Sequence, residues 1–80
     1  MAKTVTLKSL SNGRAGVVER IELEGATKRR LIEMGITPGT RIDVLKRAPL
    51  GDPIEILLRG YSLTIRGTDA EQIQVTEVRA

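Results

Sequence analysis

Residues Thr40 to Arg66 read "TRIDVLKRAPLGDPIEILLRGYSLTIR". Runs of alternating apolar and polar side chains make up most of it, with turn residues between them. Thr40–Lys46 places Ile42 and Val44 inward and Arg41 and Asp43 outward. Ile54–Arg59 places Ile54, Ile56 and Leu58 inward, and Tyr61–Arg66 does the same with Tyr61, Leu63 and Ile65. A period of two is the mark of a strand with one buried face. This stretch therefore predicts consecutive short strands.

The pattern extends to both ends of the chain. Thr4–Leu7 has Val5 and Leu7 on one face. Ala15–Leu23 puts Val17, Ile21 and Leu23 in phase, with Glu19 interrupting, and Ile73–Val78 puts Ile73 and Val75 in phase. One segment departs from it. "TKRRLIEMG", Thr27 to Gly35, predicts a short helix over 27–34, N-capped by Thr27 and ended by Gly35 in the left-handed conformation. Ile36 should then touch Leu31 across the helix end. Thr37 to Thr40 follows as a type II turn, because Pro38 fixes φ and Gly39 accepts a positive one. A single-turn helix is expected near 68–72, where Thr68 and Glu71 have capping-box spacing. The sequence shows no repeat, low-complexity tract or linker, so residues 1–80 read as a single domain. The fold class is mainly β, with five or six short strands. A sheet this small must curl to bury one face. A small, partly open SH3-like barrel is the first expectation and an OB-like barrel the second.

Composition removes several kinds of function. With no Cys and no His among its 80 residues, the chain lacks the ligands that zinc and iron prefer. It also lacks the partners of serine–histidine and cysteine–histidine catalysis. Tyr61, Asp43 and Asp52 could act as acids or bases, but they form no recognisable motif. Net charge is +3, which permits an anionic partner without requiring one. Lys28, Arg29, Arg30, Arg41, Lys46 and Arg47 cluster in sequence and leave a nucleic-acid-binding barrel as an alternative. Base stacking needs aromatic rings, however, and the chain has one Tyr, no Phe and no Trp. Residues 1–10, "MAKTVTLKSL", lack the apolar core of a signal peptide. No apolar run approaches the roughly 20 residues of a membrane span, so a soluble cytosolic chain is expected.

Two segments carry candidate contacts. The loop Pro49, Leu50, Gly51, Asp52, Pro53 holds two residues that fix φ and one that permits a sharp reversal. Asp52 can bond nearby backbone amides as an Asx turn does. Leu50 either projects from this stiff loop toward a partner or folds back to cap the barrel. On the helix, Leu31 and Met34 share a stripe that should pack on the sheet, and Ile32 lies off it, either reaching the core or exposed. Lys28, Arg29 and Arg30 oppose the helix dipole at the expected start, which fits either a solvated face or a negative partner. Exposed Leu45, Leu50 and Leu57 would support weak self-association.

The order "RRLIEMGITPGT", "RAPLGDPIEI", "GYSLTIRGTDAEQIQV" resembles the FeoA family, small cytosolic partners of the bacterial ferrous iron transporter, over nearly the whole chain. The shared pattern is Arg30-Leu31 in a short helix, Gly35, the Pro38-Gly39 turn, the Pro49 to Pro53 loop, and Leu63 to Arg66 before Thr68. The resemblance implies an SH3-like barrel with no enzymatic activity, cofactor or metal of its own. It implies a partner, the membrane permease that carries a G-protein domain, and a cytoplasmic position beside the inner membrane through that partner, without membrane insertion. It places Arg30, Leu31, Met34, Pro49, Leu50, Gly51, Asp52 and Pro53 as partner-binding residues. The same module also occurs fused to metal-responsive repressors. This chain has neither their winged-helix segment nor metal ligands, so a regulator-associated module is the lesser reading.

Overall fold

The computed structural model describes residues 3–78. The expected alternation is carried most fully by Arg41–Arg47 and Ile54–Leu58, named β3 and β4, where Ile42, Val44, Ile54, Ile56 and Leu58 are all buried. Around them stand β1 (Thr4–Thr6), β2 (Ala15–Ile21), β5 (Tyr61–Ile65) and β6 (Ile73–Val78). The six strands form one antiparallel sheet in the order β1-β6-β2-β3-β4-β5. The sheet curls around an aliphatic core that includes Leu7, Val18, Leu31, Ile36, Ile73 and Val75. The curl is tight at Gly16, where a Cβ would stand 2.8 Å from Val75 Cγ2. Helix α1 (Gly25–Glu33) connects β2 to β3, and the short α2 (Gly67–Ala70) connects β5 to β6.

The end of α1 forms as its residues require. Gly35 has φ +98°. Its N–H reaches Ile32 O at 2.9 Å, and Ile36 N–H reaches Leu31 O at 3.0 Å. These are the paired bonds of a Schellman ending, and Leu31 and Ile36 are both buried in the core. Gly39 has φ +92° and Thr40 N–H bonds Thr37 O at 3.0 Å, as the expected turn demands.

Several expectations are corrected. In β2 Val18 is buried and Val17, expected inward, is only half-buried. The pairing with β6 shifts between Val18 and Arg20. That bulge turns the strand over, so Val18 and Ile21 both face inward although they are three residues apart. Leu23 lies beyond the strand, half-buried against the core. Leu7 is buried but belongs to a 3-10 turn, Leu7–Ser9, rather than to β1. Helix α1 begins at Gly25 with Glu24 at its N-cap and no side-chain cap bond. Thr27 is thus inside the helix, and Lys28, Arg29 and Arg30 lie past its first turn, where the dipole acts weakly. In α2 Arg66 occupies the N-cap, so the spacing of Thr68 and Glu71 does not make a capping box. Tyr61 is exposed because it begins the edge strand, and its hydroxyl donates to Met34 O. Ile32 and Leu45 are exposed, while Leu57 is half-buried.

Candidate functional site

The connection between β3 and β4 is stiffened by its own backbone. Gly51 N–H bonds Ala48 O at 2.7 Å, and Ala48 N–H bonds Pro53 O at 3.1 Å. The first bond closes a turn with Pro49 and Leu50 at its centre, and Gly51 follows with φ +89°. Pro at the first central position presets that turn. The Asp52–Pro53 peptide is cis.

Two side chains then fasten the loop to the body. Arg47, at the end of β3, donates to Lys8 O and, at 3.3 Å, to Asn12 Oδ1. Asp52 Oδ1 accepts from Gly67 N–H at 3.0 Å. This replaces the expected Asx turn. Asp52 caps the first residue of α2 from across the fold, where α2 has no capping side chain of its own. It also explains the close fit at Gly67, whose missing Cβ would stand 3.5 Å from Asp52 Oδ2.

Leu50 stands at the tip of this loop, held at both ends, and is 96% exposed. No other large apolar side chain of the described residues is nearly as exposed. Of the two expectations for Leu50, the structure takes the outward one. Burying such a side chain against a partner is worth about 1.5–3 kcal/mol.

Beside the loop, an open cleft of about 390 Å³ separates the second half of α1 from β5. Leu31, Met34 and Ile65 give it an apolar floor, and Pro53 closes one side. Arg30, Arg66 and Asp69 stand at its rim. Arg30 and Asp69 face each other at 3.8 Å. The cleft therefore joins Arg30, Leu31, Met34 and Pro53, taken from both sequence segments, and leaves Pro49, Leu50, Gly51 and Asp52 outside it. Leu31 is 1% exposed and belongs to the core. The sequence reading did not single out Thr64, Ile65, Arg66 or Asp69 as contacts. All four sat within the quoted family segment, but nothing in their spacing aimed them at Met34.

No group of three or more metal-binding side chains occurs among the described residues. The Arg20 guanidinium is held above its ordinary pKa, first by its hydrogen bond to Glu22 and then by that carboxylate's charge. Arg20 is exposed and lies outside both features. No helix of the described residues is long and apolar enough to cross a membrane.

A curled six-stranded sheet with a braced apolar tip and a shallow side cleft is the build of a small, partly open barrel. Residues 5–77 match the FeoA domain family, and the chain belongs to that family. It is 36% identical over 69 residues to the Fe(2+) transport protein A/Fe(2+) transporter FeoB fusion protein of Porphyromonas gingivalis. That match takes 86% of this chain and spans only 8% of the relative. The solution structure of FeoA from Chlorobium tepidum is similar with a TM-score of 0.89 at 39% identity, over 94% of this chain and 71% of that one. Stenotrophomonas maltophilia FeoA complexed with zinc, called a prokaryotic SH3 domain protein, superposes with a TM-score of 0.79 over 94% of this chain and 96% of that one. At 24% identity that likeness speaks for the fold, which is SH3-like.

Proposed function

We propose that this chain is a non-enzymatic docking module that binds the cytosolic part of a ferrous iron permease carrying a G-protein domain. Through that contact it modulates the permease's activity or assembly from the cytoplasmic side of the inner membrane. The observation that carries the reading is Leu50, held 96% exposed on a loop fastened at both ends. A side chain fixed in place before binding loses little entropy when a partner covers it. The Porphyromonas gingivalis fusion, in which an FeoA-like segment and a FeoB transporter share one chain, supports the choice of partner.

The test is a binding titration of the permease's cytosolic region with wild type and Leu50→Ala. Leu and Ala differ by three carbons, about 2.4 kcal/mol at ~0.8 kcal/mol per buried methylene. That corresponds to roughly 50-fold in Kd. Unchanged affinity would remove the loop as the contact. Asp52→Ala is unsuited to this test, because it also unfastens the loop from α2.

A further inference from the structure

The last strand of the sheet, β5, pairs with β4 on one side and with no strand of the described residues on the other. Which of its backbone groups are free follows from the hairpin. Leu58 pairs with Tyr61 across Arg59 and Gly60, whose φ values of 50° and 85° are both positive. A two-residue loop of that kind is a type I′ turn, and it is closed by a hydrogen-bonded pair. Bonded and non-bonded pairs alternate along an antiparallel ladder. Ile56/Leu63 and Ile54/Ile65 are then bonded pairs, and Leu57/Ser62 and Glu55/Thr64 are not. Ser62 and Thr64 therefore point their N–H and C=O groups out of the sheet. None of the turn, loop or cap bonds of the described residues reaches either one.

The apolar cleft lies along this edge. Its floor of Leu31, Met34 and Ile65 adjoins the second half of β5, from Thr64 to the end of the strand. Tyr61 fixes the end of α1 beside the start of β5 through its bond to Met34 O. An arginine stands at each end of the edge: the Arg59 guanidinium donates to Thr40 Oγ1 at 3.2 Å, and Arg66 shares the cleft rim with the Arg30–Asp69 pair. Arg59 precedes β5 and Arg66 follows it, and neither has a carboxylate within 4.0 Å among the described residues.

That charge decides the occupant. Antiparallel pairing of two β5 strands about a two-fold axis would bring Arg66 of one copy next to Arg59 of the other, and like charges there oppose the pairing. A strand with acidic residues flanking apolar ones meets the opposite situation. We propose that β5 is a strand-addition site, which takes an extended acidic–apolar segment of a protein partner as a seventh strand. The added backbone bonds Ser62 and Thr64, its inward side chains enter the cleft, and its carboxylates meet Arg66 and Arg59. This rests on the reading that the chain docks a protein, and it specifies a second contact independent of Leu50.

The experiment uses the full chain and the peptide acetyl-Glu-Val-Thr-Val-Thr-Val-Glu-amide. Amide exchange at Ser62 and Thr64 is followed by NMR while the peptide is titrated to millimolar concentration. The expected result is slowed exchange at these two amides. The slowing should be lost when the peptide's alternate amides are N-methylated, and weakened at least severalfold by Arg66→Glu. Absence of protection, or equal protection by the N-methylated peptide, overturns the proposal. So does protection that rises with protein concentration in the absence of peptide, because the edge would then serve a second copy. The same variants in the permease titration keep the two readings apart. Loss of binding with Leu50→Ala but not with Arg66→Glu leaves the loop standing and refutes the edge, and the reverse refutes the loop.

Discussion

Replacing Asp52 with Ala should destabilise the protein, whereas replacing its neighbour Leu50 should not. The Asp52 carboxylate accepts the Gly67 N–H at 3.0 Å, and Gly67 is buried at the start of α2. Removing the acceptor leaves a buried donor with no protein partner. Loss of a helix cap costs about 0.5–2 kcal/mol, and an unsatisfied buried donor about 1–3 kcal/mol. Asp52 is itself exposed, so water recovers part of the bond, and about 1–2 kcal/mol is expected. For a domain of this size each kcal/mol shifts Tm by roughly 4–8 °C, so Asp52→Ala should melt at least about 4 °C below wild type. Asp52→Asn keeps a carbonyl acceptor and should lose less. Leu50→Ala removes a side chain that touches little, and its stability should stay within about 0.5 kcal/mol of wild type. Thermal unfolding by circular dichroism reads all three, and amide exchange at Gly67 and Asp69 locates the effect. An Asp52→Ala protein that melts with wild type would refute the cross-fold cap. A Leu50→Ala protein as destabilised as Asp52→Ala would show that the leucine is packed rather than presented.

Other outcomes follow from the same geometry. Gly16→Ala drives a Cβ to 2.8 Å from Val75 Cγ2 and 3.0 Å from Val75 Cβ, both close to backbone that cannot swing aside. It should cost about 1–3 kcal/mol by overpacking, read as a lowered urea midpoint. Gly35→Ala has room, its nearest neighbour being Leu58 Cδ1 at 3.5 Å, but it must hold φ +98°. A loss of about 1–2 kcal/mol is expected from that conformation alone, and an Asn at the same position should lose less. Zinc or a chelator should leave Tm within about 1 °C, since a ligand at a hundred times its Kd would add about 2.7 kcal/mol. A clear shift with zinc would show a site the donor set does not suggest.

The alternation of Ile42 and Val44, and of Ile54, Ile56 and Leu58, was legible because strand periodicity is local. Each residue's face follows from its neighbours two positions away. The Gly35 helix ending and the Pro38-Gly39 turn were legible for the same reason, since φ preference belongs to single residues. Val17 was misplaced because one extra residue near Glu19 reverses the phase, and alternation carries no mark of a bulge. Tyr61 was misplaced because a strand's face is buried only if something covers it, and nothing in Tyr61–Arg66 says that the strand lies at the edge.

Sequence alone therefore determined the β class, the short helix with its left-handed stop at Gly35, the stiffness of the Pro49 to Pro53 loop, and the absence of Cys, His, Phe and Trp. Each depends on residue type or on spacing within a few positions. Tertiary structure decided the rest. It turned Leu50 outward by tying Arg47 to Lys8 and Asp52 to Gly67. It put Met34 beside Ile65, and it left Ser62 and Thr64 facing open space. Those facts join residues far apart in the chain, so they exist only once the sheet has closed and its strand order is fixed.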